Sequence, residues 1–296
     1  MAADRPEEIY FGSKRLDNIA ISPDLRFVTY RLTTTVDDKI AEMPQYVTET
    51  GYAEMQRTRA KVGDIQDSYD SYVYDRQRDT FYSVITKDIA GIREKPAFLY
   101  DYHTSDEEFE REYGIDRELI LHGPFYSTDG NAVVVVRSLD NKDRWIMRLD
   151  RPTGQLSLLD RQRDEAWIGG PGISGWNFFG GTIGWLPDNE HIYFQSEATG
   201  FSHLYTLNVS TGEKKALTQG KFEVISVALS RDGKIFYITA NAESPHDHDF
   251  YHLPVSGGKL QRITKQEGGH EVTISPDERY LAVRYSTGNQ PWELYI

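Results

Sequence analysis

Five times along the chain a short polar turn opens into a run of apolar, β-branched and aromatic residues. The copies are "SPDLRFVTYR" from Ser22, "STDGNAVVVVRS" from Ser127, "LPDNEHIYFQS" from Leu186, "SRDGKIFYITA" from Ser230 and "SPDERYLAVRY" from Ser275. Their turn aspartates, Asp24, Asp129, Asp188, Asp232 and Asp277, are separated by 105, 59, 44 and 45 residues. The last two spacings fall in the period of about 40–50 residues used by radially repeated sheets. A second turn follows at a steady distance: "RPTGQ", "VSTGE" and "VSGGK" place Gly154, Gly212 and Gly257 at 25, 24 and 25 residues after the preceding aspartate. "LT" or "IT" then closes two units, at Leu217-Thr218 and Ile263-Thr264. Each unit therefore predicts four strands, with an Asp turn between the first two and a Gly turn between the last two. Pro presets φ in such turns, while Asp and Gly tolerate the remaining backbone angles. The second strand is apolar at nearly every position, as in "AVVVVRS" (132–138), which suits a strand covered on both faces. A four-stranded unit repeated around an axis predicts an all-β fold, a β-propeller of four-stranded blades.

The pattern divides the chain into an N-terminal segment (1–15) and a propeller (16–296). The first blade, about 16–85, carries an insertion over 44–63, and a second insertion, 86–117, precedes the next blade. Further blades are predicted at 118–160, 180–218, 223–264 and 268–296. Within 86–117, "SDEEFEREYG" reads as a short acidic helix capped by Ser105 or Asp106. The last copy stops at "WELYI" before a fourth strand, so the expectation is about five blades of a truncated seven- or eight-bladed ring.

Composition narrows the function classes. The formal charge of -13 repels polyanions and no Lys/Arg run offsets it, so nucleic acid is not an expected partner; "QRTRAKVGD" (56–64) is too short and mixed for a binding stripe. No apolar run approaches the ~20 residues of a membrane-spanning helix. "MAADRPEEIYFG" has no apolar stretch of the signal-peptide kind. Zero Cys excludes disulfides, thiolate metal sites and cysteine nucleophiles.

Several stretches together resemble the dipeptidyl peptidase IV branch of the prolyl oligopeptidase family of serine peptidases. In "GWLPDNEHIYFQSEATGFSHLYTL" (184–207), Trp185, Ser196, Glu197, Gly200, His203, Leu204 and Tyr205 match that family's Trp strand, polar turn and "SE-xx-G-xx-HLY" run. "DEAWIG" (164–169), "ESPHDHDFYHLPVSGGKLQRIT" (243–264) and "STGNQPWELYI" (286–296) extend the likeness over most of 16–296. The resemblance implies a propeller that gates a C-terminal α/β-hydrolase domain with a Ser-Asp-His triad. It further implies peptide substrates, removal of di- or tripeptides from their N-termini, no cofactor, a homodimer, and a periplasmic or secreted enzyme. The hydrolase domain is not recognisable in this chain. No G-x-S-x-G elbow occurs; "GPGISGW" around Ser174 fails because Trp176 stands where the second Gly belongs. Alone, this chain is expected to be inactive.

The family holds the substrate ammonium with an aromatic-flanked Glu pair on a short propeller helix. The nearest candidates are Glu107 and Glu108, whose flanks differ from the family's. Two carboxylates suit an ammonium ligand, but an acidic, solvated helix face is the plainer reading of the same residues. His246, Asp247, His248, Asp249 and His252 could suggest a metal site, yet they fall at a predicted hairpin tip where polar residues are ordinary, and no metal is expected. Trp167, Trp176, Phe178 and Phe179 read as an aromatic patch or as seals between blades. A propeller glycosidase would need axial carboxylates, and the recognisable first strands offer Glu271 alone. A non-catalytic scaffold or protein-binding propeller remains the alternative to the peptidase reading.

Overall fold

A computed structural model describes residues 9–36, 40–61, 64–102, 105–173 and 179–296. The first sheet joins β1 (Arg15–Ile21), β2 (Phe27–Thr34), β5 (Ser68–Asp75) and β6 (Thr80–Ser83), and a separate hairpin of β3 (Ile40–Gln45) and β4 (Glu54–Ala60) is inserted between β2 and β5. A 3-10 turn (Ala97–Tyr102) and helix α1 (Asp106–Tyr113) follow. The second sheet is β7 (Leu119–Tyr126), β8 (Ala132–Ser138), β9 (Asp143–Asp150) and β10 (Gln155–Arg163). The third is β11 (Ile183–Trp185), β12 (His191–Ser196), β13 (His203–Asn208) and β14 (Lys214–Ala216). The fourth is β15 (Val224–Leu229), β16 (Ile235–Ala240), β17 (Asp249–Pro254) and β18 (Gln261–Arg262). The last has three strands, β19 (Gly269–Ile274), β20 (Leu281–Thr287) and β21 (Gln290–Tyr295). The fold is all-β, and its pairings are antiparallel within each sheet, in chain order.

The repeated turns share one construction. The Ser hydroxyl at positions 22, 127, 230 and 275 donates to the turn Asp carboxylate and accepts a backbone N–H from the start of the next strand. That hydroxyl is the main reason Asp24, Asp129, Asp232 and Asp277 sit below the ordinary carboxylate range. The residue after each aspartate is left-handed in all five copies: Leu25 (φ 57), Gly130 (φ 91), Asn189 (φ 59), Gly233 (φ 67) and Glu278 (φ 58). Gly and Asn suit that region, whereas Leu and Glu are strained in it.

The valines of β8 explain the absence of a polar face. Val134 and Val136 join Phe27, Val73, Leu121 and Trp145 in a core toward the first sheet, while Val133 and Val135 join Ile146, Ile192 and Phe194 toward the third. A third core, with Leu204, Leu217, Val224, Phe236 and Leu253, fills the space between the third and fourth sheets. The terminal threonines of the repeats lock outer strand to neighbour: Thr218 Oγ1 accepts from Leu204 N–H at 2.9 Å, and Thr264 Oγ1 accepts from Phe250 N–H at 3.0 Å and donates to Asp249 at 2.9 Å. Arg144 crosses from the second sheet to the third: its guanidinium donates to Gly180 O (2.8 Å), Gln195 O (3.0 Å) and Gln162 Oε1 (3.2 Å), and burial lowers its pKa to about 10.

Candidate functional site

Glu107 and Glu108 lie in the first turn of α1. Ser105, one of the two expected caps, is the N-cap: its Oγ accepts from Glu108 N–H at 3.2 Å. Asp106, Glu107 and Glu108 all complement the positive end of the helix dipole, which steadies a helix of only two turns. The apolar anchor is Phe109, 6% exposed, whose ring stacks on Tyr100 with centroids 3.9 Å apart. Glu107 is exposed and Glu108 half-buried, with the Arg111 guanidinium 3.9 Å from Glu108. Successive helix residues point about 100° apart, so the two carboxylates leave the helix in different directions.

A buried ion cluster holds the segment that carries this helix. The Asp143 carboxylate, with no exposed surface, meets Arg117 (2.7 Å), Arg161 (2.8 Å) and Arg163 (2.7 Å). Glu94 takes two hydrogen bonds from Arg161, at 2.9 and 2.6 Å, which hold its carboxyl below the ordinary range. Arg117 also donates to the carbonyls of Gly91 (2.8 Å) and Ile92 (3.2 Å). The residues before and after α1 are thereby clamped to β9 and β10. An open depression of about 870 Å³, lined by Lys87, Arg93, Lys95, Tyr100, Arg163 and Glu165, borders the clamp.

Most residues of the "SE-xx-G-xx-HLY" run are structural. Ser196, His203, Leu204 and Tyr205 are buried; His203 Nδ1 lies 3.1 Å from Thr218 Oγ1 and its Nε2 3.1 Å from Gly220 O. Trp185 donates from Nε1 to Phe125 O at 2.9 Å, tying the third sheet to the second. Glu197 is different. It is half-buried at a cavity of about 190 Å³ shared with Arg161, Arg163, Asp164 and Lys214, and burial, then the charges of Glu223 and Asp164, pushes its carboxyl up. Gly170 has a left-handed backbone (φ 92), and a Cβ there would fall 2.1 Å from Glu197 Oε1, so a side chain at 170 would displace the carboxylate from this position. The "SE" pair was visible in sequence; what distinguishes Glu197 is its packing against residues 164–170.

The remaining candidates do not assemble. Asp249 is committed to Arg262 and Thr264, each at 2.9 Å, and the His252 ring packs edge-on against Tyr237. His246 and Asp247 line an open groove with Glu267 and Trp292. Among the described residues no three His, Asp or Glu side chains are gathered as for a metal ion. Trp167 and Phe179 are 48% and 55% exposed; Ser174, Trp176 and Phe178 lie outside the described residues. Glu271 is paired with Arg284 at 2.6 Å. No helix among the described residues is long and apolar enough to cross a membrane.

The family model for the dipeptidyl peptidase IV (DPP IV) N-terminal region matches residues 99–292. The chain belongs to this family. Dipeptidyl peptidase 4 of Trichophyton equinum and that of Trichophyton rubrum are each 22% identical over 187 residues, covering 61% of this chain and 23% of the relative. The match thus spans about a quarter of those relatives' length. The crystal structure of Porphyromonas gingivalis dipeptidyl peptidase 4 superposes with a TM-score of 0.61 at 15% identity, over 93% of this chain and 34% of that one. The antiparallel sheets described above therefore have the fold of the DPP IV N-terminal region.

Proposed function

We propose that this chain is the substrate-gating, N-terminus-binding propeller of a serine exopeptidase that removes di- or tripeptides from peptide N-termini. The observation that carries the proposal is the DPP IV N-terminal region match over residues 99–292. On this reading the five sheets are blades of a seven- or eight-bladed ring, and a C-terminal α/β-hydrolase domain supplies the nucleophile, His and Asp. Glu107 and Glu108 hold the substrate ammonium, in an enzyme that works as a homodimer in the periplasm or outside the cell. The clamp at Asp143 supports the role of the Glu pair by fixing the segment from which α1 rises.

The test uses the full-length protein and chromogenic dipeptide substrates with free or acylated N-termini. Substituting Glu107→Gln with Glu108→Gln should raise KM for free N-termini by roughly 10- to 100-fold, the value of a charge-assisted contact of about 1.5–3 kcal/mol, and spare acylated substrates. Equal effects on both substrates would return the pair to the role of a solvated helix face. A selective loss on Glu197→Gln instead would move ammonium binding to the cavity beside Gly170. A full-length protein without serine-inhibitor-sensitive turnover would favour the scaffold alternative.

A further inference from the structure

We propose that the cavity at Glu197 is the subsite for a basic side chain, lysine or arginine, on the N-terminal residue of a bound peptide. That a peptide binds here at all rests on the reading above; the preference for a cation is assigned from the cavity itself. Five charged side chains among the described residues line it, and four are committed elsewhere. Arg161 is held by Asp143 and Glu94, Arg163 by Asp143 and Glu165, and Lys214 by Asp160 at 2.7 Å. Asp164 caps its own turn, accepting from the N–H groups of Ala166 (2.6 Å) and Trp167 (2.8 Å). Glu197 is the one that makes no side-chain hydrogen bond or ion pair among the described residues. A half-buried carboxylate without a partner is costly, and burial accordingly pushes its pKa up.

The surroundings favour a cation and set its kind. Glu223 and Asp164, the charges that raise Glu197 further, are negative and form no ion pair among the described residues, so the mouth of the cavity attracts positive charge. Among the described residues these acids are not gathered as a metal ion requires, whereas a single carboxylate suits an ammonium or a guanidinium. Ile168, 6% exposed, and Ile173, 1% exposed, give the same cavity an apolar wall that fits the methylene stem of Lys or Arg. The cavity is also shaped around the carboxylate: β12 ends at Ser196, and left-handed Gly170 leaves open the space that Glu197 Oε1 takes. Arg163 lines both this cavity and the open depression that includes Tyr100, the ring stacked on Phe109 of α1. With the two sites neighbours, the residue whose ammonium is held at α1 is the one that offers its side chain to Glu197.

The experiment is isothermal titration calorimetry on the full-length protein with the dipeptides Lys-Ala, Arg-Ala and norleucine-Ala, which are too short to lose a dipeptide and so report binding alone. Norleucine has the lysine chain without its charge. Wild type should bind Lys-Ala and Arg-Ala at least about 10-fold more tightly than norleucine-Ala. Glu197→Gln should bring that ratio close to one. Gly170→Ala, which keeps the charge but displaces it, should lower the ratio as well; thermal melts check both folds, and the isosteric Glu197→Gln decides if Gly170→Ala does not fold. A wild type that binds all three alike, or none, would overturn the proposal, as would a preference that survives Glu197→Gln. Equal weakening of all three dipeptides by Glu197→Gln would overturn it too, by assigning Glu197 to the ammonium group rather than the side chain. A preference lost on Glu197→Gln in a protein that turns over no chromogenic substrate would uphold the cation subsite while the exopeptidase reading fell.

Discussion

Replacing Asp143 by Asn removes the single carboxylate that three guanidinium groups share. Arg117, Arg161 and Arg163 approach it at 2.7, 2.8 and 2.7 Å, and it has no exposed surface. Removing one partner of a buried pair costs about 3–5 kcal/mol, because the remaining charges stay desolvated and uncompensated. Asp140, 3.2 Å from Arg117, and Glu94, 2.6 Å from Arg161, still neutralise part of the excess, which places the expected loss near the lower limit, about 3 kcal/mol. At ~2–4 °C per kcal/mol for a chain of this size, the melting temperature should fall by roughly 6–12 °C. Urea titration and thermal melts measure this. Glu165→Gln is the control: its carboxylate, 64% exposed beside Arg163, should matter by less than about 1 kcal/mol. Hydrogen exchange should accelerate in residues 86–117, which Arg117 and Glu94 tie to β9 and β10. An Asp143→Asn protein as stable as the Glu165→Gln control would refute the clamp and show that water already compensates the cluster.

Two further outcomes follow from the turns and from the first sheet. Leu25→Gly should stabilise the protein by about 0.5–1 kcal/mol in urea titrations, because Leu25 sits at φ 57 with its side chain 60% exposed and gives up little packing; destabilisation would show that the side chain matters more than the backbone. Asp75 is held at about 2, first by hydrogen bonds from Arg26. Because its folded value is depressed, the stability it contributes is present above the ordinary carboxylate range and lost as pH falls toward 2. Arg26→Met should therefore be less stable than wild type near pH 7, with the difference closing below about pH 2 in pH-dependent denaturation; a gap independent of pH would show that packing, not ionisation, is what Arg26 supplies.

The strand pattern could be read before the structure because its signals are local. Ser, Pro, Asp and Gly fix each turn within five residues, and the valines of β8 report burial on both faces without reference to any partner. What stayed hidden depends on distant partners. Arg137 closes the apolar run of β8 and Arg144 sits in β9, which looks half-polar in sequence, yet both are buried. Asp143 finds its three arginines at positions 117, 161 and 163, a grouping that only the packed second sheet creates. The β3–β4 hairpin, which begins ahead of the insertion expected over 44–63, does not read as strands because "EMQRTRA" has no apolar alternation to report. The Glu pair is legible in the sequence, but its divergence on α1 and the half-burial of Glu197 behind Gly170 arise only from helix geometry and packing.

β2 and β5 are in register along their full lengths, with Thr34 opposite Ser68. The chain therefore leaves the first sheet and returns to it at one point, about 5 Å wide. Everything between those two residues hangs from a narrow stalk, and lengthening a closed loop adds only about 0.6 kcal/mol per doubling. The sheet is indifferent to what the stalk carries. A fluorescent reporter or a binding domain whose own termini are close could be grafted between Tyr46 and Tyr52 without unpairing a single strand of the body. Natural variation in this segment is equally free to change what the protein meets while leaving the sheets as they are.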